Sequence, residues 1–540
     1  MLTRIFGFLF VVGFLVVNGI ACLGVIPVRA QDGTASVTPV DSMHTGTDQW
    51  QVYLPLVDRL SNQVYNCRYG VAGSTTAEIE NLRAGAFISF GTSRPQTLPT
   101  GVEFIPMIRI KQDRGPGGSY LPSYTVGPTL TESGLGAAIS RNPGALWLVG
   151  NEPDRAYHQD DTFPDIYAQA YHDVYYFIKE RDPSAQVAIA GLVLVSPGRL
   201  QYLDKVWDAY VSKYGTSIPV DMWNFHAYLF PERNADGTTS FAGIALGTDS
   251  ALAWLSSGGN GQLCSREDVM CIAEHDDVDL FAQQILEMRK WMKAHGQQEK
   301  PLLLSEFSLL YPYVQQGDAC VLQDENGRCF DPARVNDYMN KSVSRLENMK
   351  DTELGYAKDD FRLVQQWVWF SLDDFGGGNG MNLNPSLLIP SGGSGLSPMG
   401  INYRDLIAQQ PNAVNLLIES VAVSSTDTAM QALTEAITLT ANILNNGNSP
   451  TTQAVDVSFF SDAAMTQVIG STTIPAGIGG CTRQSTAATI VWNNAGLNTE
   501  NFWVKVDGQN QQFESNELDN SVNGVMHLRA ATADPQHQVR

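Results

Sequence analysis

Positive charge is scarce in this chain. Its 540 residues hold 34 lysines and arginines against 56 aspartates and glutamates, a formal net charge of −22. A surface of that sign repels nucleic acid and anionic membranes, so it suits neutral or cationic partners. Charged residues make up only 17% of the chain and hydrophobic ones 43%, which excludes a disordered polyampholyte and leaves a globular protein with a sizeable core. Cysteine is sparse too. None of the seven sits in the paired Cys-x-x-Cys spacing of a zinc site.

What is present begins at the N-terminus. Met1 to Arg4 leads into an apolar run from Ile5 to Val17, and Val28-Arg-Ala30 precedes the polar Gln31-Asp-Gly, the layout of a secretory signal (1–30) cut after Ala30. The competing reading is a retained membrane anchor over Ile5 to Ile26, which is long enough to span a bilayer. Arg29 on its outer flank speaks against that. Lipid attachment at Cys22 lacks the large aliphatic residue expected three positions earlier, where Gly19 stands. Residues 1–30 carry two arginines and no acid, so their removal takes the charge to −24 and leaves six cysteines. An even number suits an oxidising compartment. Cys264 with Cys271 and Cys320 with Cys329 are close enough in sequence for local disulfides, which would leave Cys67 and Cys481; spacing alone does not fix the pairing.

After a linker (31–49), short apolar runs alternate with helix-length amphipathic segments over 50–410. The spacing predicts eight strands: Val64–Val71, Ala86–Phe90, Val102–Ile110, Ala145–Val149, Gln186–Val193, Val220–Tyr228, Pro301–Ser305 and Leu363–Phe370. Helices are predicted over Phe163–Lys179, Gln201–Tyr214, Val278–His295 and Ala333–Met349. This alternation implies a parallel sheet, and eight units point to an α/β fold of the closed (β/α)8 TIM-barrel type. The long connections Leu229–Asp277 and Phe307–Asp331 leave strands six and seven at the face where such barrels carry their sites. From 411 to 528 the pattern becomes strand-like, with runs at Ile437–Leu444, Val455–Phe460, Thr489–Trp492 and Phe502–Asp507, as in a small all-β immunoglobulin-like sandwich. Residues 529–540 read as a disordered tail.

Two strands end in carboxyl groups. Glu152 closes Ala145-Leu-Trp-Leu-Val-Gly-Asn-Glu, and Glu306 closes Pro301-Leu-Leu-Leu-Ser-Glu. Two carboxyls at strand ends are the minimum set for cleaving a glycosidic bond. Pro153 has no N–H for a ladder, so it ends the fourth strand and leaves Glu152 at the rim. Asn151-Glu-Pro153 with Glu306 on strand seven resembles the acid/base and nucleophile motifs of clan A retaining glycoside hydrolases. The string Asn151-Glu-Pro-Asp154 further resembles the Asl-type core typified by the endo-β-1,3-glucanases of family 128. The resemblance covers roughly residues 60–405. It implies Glu152 as general acid/base, Glu306 as nucleophile and Asn151 as partner of a sugar 2-hydroxyl. As acid, Glu152 should hold its proton near working pH, with its pKa raised by the Glu306 charge.

Other candidates surround this pair. The same resemblance makes His226 and Tyr228, in Trp223-Asn-Phe-His-Ala-Tyr228, supports of the nucleophile, although His226 also reads as a bonded core histidine. Arg109 at the end of strand three is expected to hold a carboxylate ionised, or else to be a solvated rim arginine. Trp369 is expected as a stacking floor under the sugar, with Trp367 on its face by the period of two; barrel-to-helix packing is the bland alternative for both. Tyr311 and Tyr313 read equally as outer subsites or as packing. Asp160-Asp161, Asp276-Asp277 and Asp373-Asp374 read as helix caps or solvated acids, so no metal or other cofactor is expected. Phe513-Glu-Ser-Asn-Glu517-Leu-Asp519-Asn520 resembles the end of bacterial cell-adhesion-related immunoglobulin-like (CARDB) modules, which implies a spacer or cell-surface attachment role. The expectation is a secreted monomeric endo-β-glucanase acting on a neutral polysaccharide or oligosaccharide; the alternative is an inactive glycan-binding or adhesion protein.

Overall fold

The computed structural model describes residues 64–311, 322–373, 386–389, 395–425, 436–493 and 501–525, all in one compact unit. The expected signal, linker and tail lie outside the described residues, as do Cys320, Tyr313 and Asp374.

All eight predicted strands form. They are β1 (Asn66–Ala72), β2 (Ala84–Ile88), the broken strand β3 (Glu103–Phe104) and β4 (Met107–Arg114), then β6 (Leu146–Asn151), β7 (Gln186–Gly191), β8 (Trp223–His226), β11 (Leu302–Phe307) and β12 (Gln366–Phe370). Between β4 and β6 lies β5 (Tyr120–Gly127), which folds back antiparallel on β4; β9 (Leu255–Ser256) and β10 (Val269–Met270) form a small pair in the loop after β8. The ladders divide into two sheets, β3-β2-β1-β12-β11-β8 and β5-β4-β6-β7, and among the described residues they do not close the expected ring. One break has a plain cause. Pro106 offers no N–H, so Ile105 N bonds to Phe87 O (2.9 Å) on the β2 side while the Pro106 carbonyl accepts from Leu148 N (2.9 Å) on the β6 side. At the other break a single parallel bridge, Ala188 with Met222, joins β7 to the residue before β8.

Alternation sorts the strand side chains into two layers. Ala86, Met107, Leu148, Ala188, Leu303 and Val368 pack together in one cluster, while neighbours such as Phe87, Trp147, Val187, Phe225, Leu304 and Trp367 pack with the helices. The short α1 (Ile79–Leu82) and α2 (Ala137–Arg141) precede the long helices α3 (Pro164–Arg181), α4 (Pro197–Tyr214), α5 (Val278–Ala294), α6 (Pro332–Asn348) and α7 (Pro398–Gln409). Four of the five long helices carry proline in the first turn, and Ser196, Asp277, Asp331 and Ser397 cap α4 to α7 through their side-chain oxygens. Among the described residues no helix is long and apolar enough to cross a membrane.

Beyond α7 come β13 (Leu416–Ser425), β14 (Ile437–Asn445), β15 (Val455–Phe460), β16 (Val468–Ile474), β17 (Thr486–Trp492), β18 (Asn501–Val506) and β19 (Ser521–Val525). They form two antiparallel sheets, β13-β14-β17 and β16-β15-β18-β19, around one core that includes Leu439, Ile443, Val457, Phe459, Ile490 and Phe502. This layer is tied to the start of the strands in β1 by the Cys67–Cys481 disulfide. Arg483 adds an ion pair to Glu103 and a contact of 3.5 Å to the Met222 sulfur. Cys264–Cys271 is the second described disulfide.

Candidate active site

Glu152 follows β6 in register with the inner-layer residues Leu146 and Leu148. Its backbone turns left-handed there (φ 44°), and its N–H bonds to Gly191 O at 3.0 Å. Glu306 reaches the same space by a different device. It shares parity with Leu302 and Leu304, which face the helices. A bulge intervenes: Leu304 pairs with Trp367 and Phe307 with Trp369, so three steps on β11 match two on β12. The extra residue lets Glu306 turn inward while Phe307 returns to the helix side against Phe281.

The two carboxyls converge. An oxygen of Glu152, an oxygen of Glu306 and a ring nitrogen of His226 all lie within 4.8 Å of one another, and the glutamates are 4% and 5% exposed. His226 Nδ1 is 3.1 Å from Glu152 Oε1 and 3.6 Å from Glu306 Oε2. Tyr228 Oη donates to Glu306 Oε2 at 3.0 Å, and Arg155 Nη1 lies 3.5 Å from Glu152 Oε2. Gly191 makes the room: a Cβ there would fall 2.4 Å from the His226 ring.

The electrostatics split the pair in the opposite sense to the one expected. Burial works to raise Glu152, but the His226 hydrogen bond and the charges of Arg155, His226 and Arg199 together carry it below the usual carboxylate range. Burial, reinforced by the Glu152 charge, pushes Glu306 above that range against the pull of His226 and Tyr228. For His226, burial favours the neutral ring, yet Glu306 and Glu152 outweigh it and hold the imidazole above its ordinary range.

Arginines missed in the sequence order the loop after Glu152. Arg199 is fully buried between Asp154 (2.5 Å) and Glu232 (2.9 Å). Arg114 pairs with Asp161 at 2.5 Å. Arg109 pairs with Asp160 at 2.6 Å, so the carboxylate it holds lies beside the glutamate pair and not within it. Asp160 in turn accepts from the Asn151 and Ile110 backbones at 2.7 and 3.0 Å; neither acid of Asp160-Asp161 is a helix cap or solvated, because both sit inside this clamp. Asn151 Nδ2 bonds to Gln159 at 3.2 Å, and its buried Oδ1 has no protein partner. The clamp holds left-handed backbone at Tyr157, Gln159 and Asp161, and it leaves Tyr157 78% exposed, with the Arg114 guanidinium 4.8 Å from its ring centroid.

Trp369 is not a floor. It is fully buried on the helix side, edge-on to Phe307 (5.2 Å) and tilted against Tyr403 (6.2 Å), because the inner positions of β12 are the even ones. Phe370, half-buried and packed with Phe90 at 5.9 Å, stands at the inner rim in its place. Trp367 likewise packs outward on Tyr69. Tyr311 is buried among Phe230, His275 and Phe330 behind the site. Cys264 and Cys271 lie near Glu325, but the disulfide leaves them no thiolate for a metal.

No family model matches the chain, and no curated protein matches it. Solved structures similar to it include a GH128 (subgroup VII) oligosaccharide-binding protein from Trichoderma gamsii, at 12% identity over 64% of this chain and 96% of that one (TM-score 0.34). A glucosidase from Croceicoccus marinus is similar at 11% identity over 79% and 93% of the two chains (TM-score 0.39). A CARDB domain from Pyrococcus furiosus is similar at 15% identity over 21% of this chain and 86% of that one (TM-score 0.16).

Proposed function

We propose that this protein is a secreted retaining glycoside hydrolase, an endo-β-glucanase acting on a neutral polysaccharide. The observation that carries the reading is the Glu152–Glu306 pair, with oxygens within 4.8 Å of each other at the ends of two parallel strands. Double displacement needs carboxyl groups about 5 to 5.5 Å apart, whereas inversion needs about 6.5 to 9.5 Å to admit a water. On this reading the two sheets act as one eight-stranded barrel with an immunoglobulin-like module behind it. Glu306 attacks the anomeric carbon, Tyr228 orients it, and Glu152 protonates the leaving oxygen. Asn151 Oδ1 is free to accept a sugar hydroxyl.

A second assignment exchanges the two glutamates, and the electrostatic split between them favours it. One experiment separates the possibilities. A polysaccharide panel read by new reducing ends should show turnover in the wild type and nearly none in Glu306→Gln. Glu152→Ala should keep activity on aryl glycosides whose leaving group needs no proton, and azide should rescue its second step. Azide rescue of a Glu306 variant instead would exchange the roles. Glycan binding without turnover in the wild type would support an inactive binder.

A further inference from the structure

Two buried histidines flank the loops of the site, and they are held in contrasting ways. His275 is pinned at both nitrogens by backbone: Nδ1 bonds to Leu229 O at 2.8 Å, and Nε2 accepts from Leu310 N at 2.9 Å. It therefore keeps one neutral tautomer, and burial lowers its pKa to about 4. His226 has no such anchors. Its Nε2 has no protein partner, and its Nδ1 faces Glu152 and Glu306 at 3.1 and 3.6 Å. A proton can enter or leave this ring without breaking any bond that holds the fold.

We infer that His226 stores the proton that Glu152 delivers to the leaving group. The inference rests on the glycosidase reading above and deepens it. In the resting site the proton sits on Nδ1, 3.1 Å from the ionised Glu152 and 3.6 Å from Glu306, where its charge works against the burial that raises Glu306 and so favours the carboxylate a nucleophile needs. As Glu306 forms its bond to the anomeric carbon and the glycosidic C–O bond breaks, the Nδ1–H bond breaks, Glu152 Oε1 takes that proton, and Glu152 then hands the same proton to the leaving oxygen, which leaves the imidazole neutral and Glu152 again ionised. In the second step water supplies its oxygen to the anomeric carbon, the ester to Glu306 breaks, and the water's proton returns through Glu152 to Nδ1. Nothing is oxidised or reduced.

The surroundings are consistent with this cycle. The negative groups facing the ring are Glu152 and Asp154 from the loop after β6 and Glu306 from β11. Arg155 and Arg199 act on Glu152, Arg109 acts on Glu306, and Tyr228 binds Glu306. The positive charge on His226 works to lower both carboxyls; with Arg155 and Arg199 it leaves Glu152 ionised at rest, while burial still holds Glu306 above the usual range.

The test is His226→Asn, whose amide can still donate to Glu152 but cannot carry the proton. On unactivated oligosaccharide the variant should lose about 100-fold or more in kcat, the scale of general acid catalysis. On a dinitrophenyl glycoside it should lose only a few-fold, and the basic limb of the pH profile on oligosaccharide should shift. Equal loss on both substrates with an unmoved limb would make His226 a positioning residue only and overturn the inference. Nitrogen-15 shifts of the histidines, with His226 assigned by its absence in the variant, should show both ring nitrogens protonated near neutral pH. A neutral His226 from about pH 5 to about pH 8 in an active enzyme would overturn it as well. Absence of wild-type turnover would fall on the underlying reading instead.

Discussion

Tyr228, two residues past the end of β8, donates one hydrogen bond to Glu306, the proposed nucleophile. Hydrogen bonds to charged groups contribute about 1.5 to 3 kcal/mol, so Tyr228→Phe should lower kcat by roughly 10- to 100-fold with little change in KM. A matching rise in KM would mean that Tyr228 holds substrate instead. Single residues show how the sequence could and could not be read. Glu152 was legible from its strand end, whereas His226 and Tyr228 were named only through the family resemblance; the structure places them against Glu152 and Glu306. Glu306 was legible from its position, but the bulge that turns it inward left no mark in Leu-Leu-Leu-Ser-Glu. Trp369 was misplaced because alternation gives two faces without saying which is inner. That choice depended on Val368 and Phe370 packing with other strands.

At the scale of elements, the loop after β6 is set by ion pairs between segments distant in sequence. Arg199, from α4, neutralises Asp154 and Glu232 where no solvent reaches. Arg199→Met would leave two buried acids without their cation, a change that costs about 3 to 5 kcal/mol. Urea unfolding should register that loss, with a much smaller one in Asp154→Asn. The hairpin strand β5 was not predicted, since Pro122 interrupts its pattern and most of its side chains are solvated, leaving little apolar alternation. In the C-terminal sheets, buried Glu514 accepts from Leu416 N and from Asn520 (3.1 Å). Burial raises its pKa from 4.5 to about 7. Its folded form therefore binds the proton more tightly than its unfolded form. The stability it contributes is full below pH 4.5 and is lost as pH rises through about 7. Glu514→Gln should flatten that part of the dependence of Tm on pH, and an unchanged profile would assign it elsewhere.

Across the whole molecule, the C-terminal sheets are fastened to the strands at the end opposite the glutamates. Cys67 lies in β1 and Cys481 between β16 and β17, 414 residues apart in sequence. Beside the disulfide, Arg483, between β16 and β17, joins Glu103 at 2.5 Å, and Glu103 also accepts from Gln366 at 3.1 Å, so Glu103 links this arginine to the starts of both β3 and β12. The sequence left Cys67 and Cys481 over once the local pairs were drawn but could not fix their pairing, and nothing in Cys481-Thr-Arg483 announced the ion pair, because both depend on how two separately patterned regions meet. A cross-link over so long a separation acts mainly on the unfolded chain, and its removal costs about 2 to 5 kcal/mol. The joint variant Cys67→Ser/Cys481→Ser should therefore lower Tm. If the disulfide and Arg483 are what make the two regions unfold together, calorimetry should also show the single transition divide in two, with the turnover of an intact site unchanged at low temperature. Adding Arg483→Ala should widen the gap between transitions. One undivided transition in the triple variant would mean that the apolar and polar contacts between the regions suffice without either bolt.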